Sequence, residues 1–205
     1  MTIAWLSGSS DPTRAALSPV EAGLLEAVAD GRTIVPGNFP WPVAPGSYRR
    51  VGIVRASLRN AVQFWRARWS RPYRRFIARR ILALPHEDLV LITGSQGLEL
   101  LRLAWPLLGA VRGIRVIALG PVAGRLPAGL RPFVIQSGAD VVSRLGWRGR
   151  VHLHCGGDHL SYAADPKVRA AVAAVVGRRA APVSDCGPMP TPADGPGSDI
   201  GFGDR

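Results

Sequence analysis

Three shortages bound what this chain can be. Its two cysteines, Cys155 and Cys186, are too few for a disulfide framework or a four-cysteine metal site. No apolar run approaches the roughly 18 uncharged residues of a membrane-spanning helix, which excludes an integral helical membrane protein. The opening, residues 1–6, has no charged segment ahead of a long apolar run, so no secretory signal is expected and the expected compartment is cytoplasmic. Phosphate-binding signatures are missing as well. There is no Gly-x-x-x-x-Gly-Lys loop, and Gly120-Pro-Val-Ala-Gly124 lacks the dinucleotide fingerprint, so no cofactor is expected.

Lysine and local acidity are the other absences. Of 26 basic residues only Lys167 is not arginine, a skew that G+C-rich coding accounts for. Coding does not account for the acids. Residues 31–86 hold twelve arginines and no Asp or Glu, so the whole net charge of +12 sits in that stretch. Charge so concentrated can attract an acidic partner: an acidic protein, nucleic acid or an anionic membrane surface.

With 47% apolar residues, the 205-residue chain can bury a sizeable core. Residues 2–6 read as a buried strand. Ser18-Pro19-Val20-Glu21 is a capping box with proline at the first helical position, and Gly31 stops that helix. A strand near residues 32–35 leads into a Pro/Gly-rich loop, residues 36–47. Residues 48–84 form one or two helices interrupted around Pro72. There Leu58, Val62, Trp65 and Trp69 share one stripe, with Arg55, Arg59 and Arg66 on the neighbouring one. The expectation is that the apolar stripe packs on the sheet and the arginines form a candidate acidic-partner surface.

Strands follow at residues 89–93, 115–119, 133–136 and 150–155, and helices at residues 98–108 and 165–176. Alternating strands and helices predict an α/β fold: a mainly parallel sheet of about six strands with helices on both faces. The expected domain is residues 1–179. From residue 180 on, ten of 26 residues are Pro or Gly, which predicts a disordered tail.

The chemistry starts at Thr93-Gly94-Ser95-Gln96-Gly97, where a strand ends, a serine stands between small residues and a helix begins. A tight strand-to-helix turn exposes the hydroxyl, and the helix N-terminus offers N–H groups where an oxyanion develops. An ordinary βα turn with a capping serine has the same look. A nucleophilic serine also needs a base and an orienting acid. Asp140 follows the strand at residues 133–136, and His159 follows the strand ending at Cys155. All three lie just past carboxyl ends of strands, where open α/β sheets place their sites.

In these segments the chain resembles the α/β-hydrolase family, whose triad runs Ser, Asp/Glu, His in chain order. The resemblance implies Ser95 as nucleophile, His159 as general base and Asp140 as the acid orienting it. Backbone N–H groups of Gln96 and Ser9 would form the oxyanion hole. It implies a serine hydrolase acting on a carboxylic ester or thioester, small or presented by an acidic carrier. Thr93 replaces the family's first elbow glycine, and Ser7-Gly8-Ser9-Ser10 replaces its common His-Gly pair. Residues 120–132 leave no room for a cap domain. A rival reading keeps the fold without catalysis and makes the Arg/Trp region a binding module.

His152, His154, Asp158 and His159 superficially suggest a metal site, but no histidine follows His159 to complete a pattern. No metal is expected, and His152 and His154 read as packed or hydrogen-bonded strand residues. Cys155 reads as an inert thiol, and His86 as a solvated turn residue.

Overall fold

A computed structural model describes residues 1–178 except 10, 12–14, 42–47, 50, 86 and 110–112. The tail from residue 180, Cys186, His86 and much of the loop at residues 36–47 therefore lie outside the described residues. Among the described residues six strands form one sheet: β1 (Thr2–Leu6), β2 (Thr33–Phe39), β3 (Leu89–Gly94), β4 (Ile114–Leu119), β5 (Phe133–Ser137) and β6 (Leu153–Cys155). Their order is β2-β1-β3-β4-β5-β6, and every pairing is parallel.

Parallel strands need crossovers, and here most are helical: α1 (Pro19–Ala29), α2 (Ile53–Trp69), α3 (Arg71–Leu82), α4 (Gly97–Ala104) and α5 (Val141–Gly146), with α6 (Pro166–Gly177) last. The period of two in the strands sorts the core into two layers. Ala4, Leu6, Leu89, Leu91, Val116 and Ala118 face α3 and α4. Ile3, Trp5, Val90, Ile92, Ile117 and Leu119 face α1 and α6. Because both faces are covered, strands such as Leu89–Gly94 read as continuous apolar runs rather than alternating ones.

Local signals explain most boundaries. Ser18 and Glu21 make the reciprocal capping box of α1. Ser70 separates α2 from α3, and its hydroxyl accepts from the Tyr73 N–H at 3.3 Å, with Pro72 in the first turn. Asp165 caps α6 ahead of Pro166. β2 runs further than its pattern suggests, through Pro36 to Phe39; as an edge strand with a register shift against β1 it tolerates a proline. α5 has no counterpart among the expected helices.

One expectation is overturned. Leu58, Val62, Trp65 and Trp69 do not pack on the sheet; all four are exposed. The layer next to the sheet is filled by α3, through Ile77, Ala78 and Ile81, while α2 lies outside it against α3 and α4. The inward face of α2 is the opposite one: Ala67, fully buried, allows close approach, and Asn60 and Gln63 supply polar contacts. Arg55 and Arg66 are exposed and Arg59 is half-buried.

Candidate functional site

The strand order reverses direction between β1 and β3, and the crevice at such a switch point lies beyond the strands' carboxyl ends. The loop after β1 and the turn after β3 therefore meet. Gly97 makes the meeting possible: a Cβ there would lie 2.0 Å from the Leu6 carbonyl oxygen. Ser95 occupies the turn with φ at +50°, a left-handed conformation that a non-glycine residue adopts at a cost of order 1–3 kcal/mol. Its backbone is held on both sides, with its N–H donating to the Leu119 carbonyl at 3.1 Å and its carbonyl accepting from Val122 N–H at 3.0 Å.

The structure brings Ser95, Asp140 and His159 together at this edge. His159 Nε2 lies 2.9 Å from Ser95 Oγ, and His159 Nδ1 lies 2.8 Å from Asp140 Oδ2. An ionised carboxylate only accepts, so the contact with Asp140 puts a proton on Nδ1 and leaves Nε2 as acceptor toward the serine hydroxyl. His159 and Ser95 are half-buried, whereas Asp140 is buried.

A buried carboxylate is tolerated when it is fully hydrogen-bonded. Asp140 caps α5, its Oδ1 accepting from Ser143 N–H at 2.9 Å. Its Oδ2 accepts from the Tyr162 hydroxyl at 2.7 Å as well as from His159. Tyr162 is itself fixed, since its oxygen accepts from Ser137 N–H at 2.9 Å. Burial, opposed by that N–H and reinforced by Asp140, pushes the Tyr162 phenol well above its ordinary range, so it remains a donor. Ser143 Oγ donates to the Pro121 carbonyl at 3.0 Å and accepts from Gln136 Nε2 at 2.9 Å. His159 is held by its own loop, in which Gly157 has φ +79° and the Ser137 hydroxyl donates to its carbonyl.

Tyr162, Ser143 and Gln136 were not singled out in the sequence. Only the Asp140-x-x-Ser143 spacing, a capping signal, was there to be read.

The oxyanion-side residues are placed differently. Gln96 directly follows Ser95 as the N-cap of α4. Ser9 is buried, but its N–H donates to Gln63 Oε1 at 2.8 Å, and its carbonyl accepts from Gln63 Nε2 at 2.7 Å. The Gln96 side chain also reaches α2, donating to Asn60 Oδ1 and Gln63 Oε1, each at 3.3 Å. The expected oxyanion donor Ser9 is thus engaged by α2 in this structure, because α2 turns its polar face toward the loop.

Other groups take no part in the Ser95–His159–Asp140 contacts. His152 is exposed, stacks on Phe133 with centroids 5.1 Å apart and accepts from Val134 N–H at 3.0 Å. Partial burial and Arg150 lower its pKa. Burial, with Asp165 and Asp140 adding to it, raises the Cys155 thiol, the opposite of what a reactive cysteine needs. A cavity of about 700 Å³ is lined by Leu126, Leu130, Phe133, Trp147 and neighbours, but not by Ser95, Asp140 or His159. Beneath the serine turn, buried Glu99 accepts from Arg68 at 2.9 Å, from Arg102 and from Gly124 N–H at 3.0 Å, tying α2 to α4.

Comparison with known proteins adds little. No family model matches the chain, and no curated protein matches its sequence. Among solved structures, a carboxylesterase from Mesorhizobium loti is similar at 18% identity and a TM-score of 0.45, over 86% of this chain and 88% of that one. A likeness at that level carries no argument about chemistry. The α/β class is read from the six-stranded parallel sheet itself and the helices on both its faces.

Proposed function

We propose that the protein is a serine hydrolase that cleaves a carboxylic ester or thioester through an acyl-serine intermediate. One observation carries the reading: a continuous relay from Asp140 Oδ2 through His159 to Ser95 Oγ, with contacts of 2.8 and 2.9 Å. A catalytic serine needs its base within about 2.6–3.2 Å and the base held by a third group.

In the first half-reaction Ser95 Oγ attacks the carbonyl carbon while His159 Nε2 takes the hydroxyl proton. The carbonyl π pair moves to oxygen, and Asp140 stabilises the imidazolium without itself being protonated. The tetrahedral intermediate collapses by breaking the bond to the leaving oxygen or sulfur, which receives the proton from His159. Water then repeats the sequence, releasing the carboxylic acid and free Ser95. The Gln96 N–H, at the positive end of α4, is the first oxyanion donor. Ser9 N–H becomes the second once the oxyanion displaces Gln63 Oε1 from it.

The test is steady-state and rapid-quench hydrolysis of short nitrophenyl esters and an acyl thioester. Wild type should give an initial burst stoichiometric with enzyme, and Ser95→Ala should lower kcat by at least about 10⁴-fold. An unchanged rate in Ser95→Ala would exclude the acyl-serine route.

A further inference from the structure

α2 presents to solvent what a surface helix ordinarily buries. Val54, Leu58, Val62, Trp65 and Trp69 are between 52% and 81% exposed. At about 100° per residue they form one stripe along the helix, opposite the face carrying Asn60, Gln63 and Ala67. The inward face is occupied with the core and with Ser9 and Gln96, so turning the helix to bury the stripe would break those contacts. The stripe is therefore a built feature of the fold.

The exposed charges around it are mainly of one sign. Exposed Arg55 and Arg66 border the stripe on one side, and α3 carries exposed Arg71, Arg75 and Arg79; Arg68, on the other side, is paired with Glu99. Residues 31–86 themselves contribute no carboxylate to this surface. From this combination we infer that the outer face of α2 docks on an anionic lipid bilayer. The apolar stripe inserts at the headgroup boundary, with the arginines against lipid phosphates.

Two physical arguments select the bilayer over other occupants. A second copy of the same face would set arginines against arginines. Nucleic acid would engage the arginines and could stack on tryptophan, but has no use for the exposed Val54, Leu58 and Val62 that complete the stripe. An interfacial helix needs that pairing: an apolar face sunk about 5–10 Å, a basic flank, and tryptophan at the headgroup level. Because the inner face of α2 holds Ser9 and Gln96, docking sets the Ser95 end of the sheet beside the lipid boundary. The inference does not depend on Ser95 being a nucleophile.

The experiment is co-flotation of the full 205-residue chain with vesicles of phosphatidylglycerol and phosphatidylcholine in equal parts, and with phosphatidylcholine alone. Wild type should float with the anionic vesicles, less so as salt rises, and bromine-labelled acyl chains should quench its tryptophan fluorescence. The double variant Trp65→Ser/Trp69→Ser should partition at least about tenfold more weakly, since each loses a large apolar contact. Its thermal melt should match wild type, because both side chains are exposed. Three results would overturn the inference. One is no flotation with anionic vesicles. Another is equal flotation of wild type and the double variant, which would mean charge alone. The third is a solution dimer that the double variant dissociates, which would make the face a self-interface.

Discussion

The carboxyl edge of the sheet and the outer face of α2 handle polarity in opposite ways. At the edge a carboxylate is buried, and three donors surround it: His159, Tyr162 and the Ser143 N–H. On α2, large apolar side chains stand in solvent with arginines beside them. Neither arrangement is what a stability-driven sequence selects at such a position, since burying charge and exposing tryptophan are both unfavourable. The difference is in how each is tolerated. The edge is over-determined, so a small change there should propagate; the α2 face touches little, so changes there should be silent for folding.

The largest expected effect is at Asp140. Asp140→Asn should lower kcat for a soluble ester by about 10⁴-fold by favouring the wrong histidine tautomer. Measured beside a thermal melt, a loss of rate far beyond the loss of folded protein supports the relay. Gly97→Ala comes next. Its Cβ would meet the Leu6 carbonyl oxygen at 2.0 Å, and an expected cost of about 3 kcal/mol in urea unfolding follows from overpacking against backbone that cannot yield.

Glu99→Gln should cost about 2 kcal/mol at neutral pH, because its hydrogen bonds to arginine lose their charge. Burial raises the Glu99 pKa, but bonds from Arg102 and Gly124 and the charges of Arg102 and Arg68 outweigh it and hold the carboxyl below its ordinary value. The stabilisation it gives is therefore complete above the unfolded value of about 4.3 and lost as pH falls through the lower folded one. Stability measured against pH should show wild type and Glu99→Gln converging on acidification. A constant gap would refute the ionic reading.

Tyr162→Phe removes one donor from Asp140 and leaves Ser137 N–H unsatisfied, so stability should fall by about 1 kcal/mol and kcat by about tenfold. At the small end, Leu58→Ser or Val62→Ser on the exposed face should change stability by no more than about 0.5 kcal/mol and leave soluble-ester hydrolysis unchanged. A large loss there would mean that α2 is packed after all, and the contrast between the regions would fail.

The same contrast describes what the sequence disclosed. Strands with continuous apolar runs and the Ser18–Glu21 capping box announce themselves, because period and cap are local. The nearness of Ser95, Asp140 and His159 was legible for a related reason: each follows a strand, and a parallel sheet brings carboxyl ends to one edge. Periodicity could not say which side of α2 faces inward. It groups Leu58, Val62, Trp65 and Trp69 on a stripe, but only the tertiary contacts of Asn60, Gln63 and Ala67 decide that the opposite face is buried. α5 was missed because six residues are too short for a period to emerge. Gln63 on Ser9 and Tyr162 on Asp140 join residues distant in the chain, and no local pattern encodes them.

Activation of Ser95 as a nucleophile is open to a direct test with a fluorophosphonate probe followed by peptide mass mapping. Folded wild type should carry one label, on the peptide containing Ser95, and Ser95→Ala should carry none. Failure of the folded wild type to react, or equal labelling of Ser95→Ala, would mean that Ser95 is not the nucleophile.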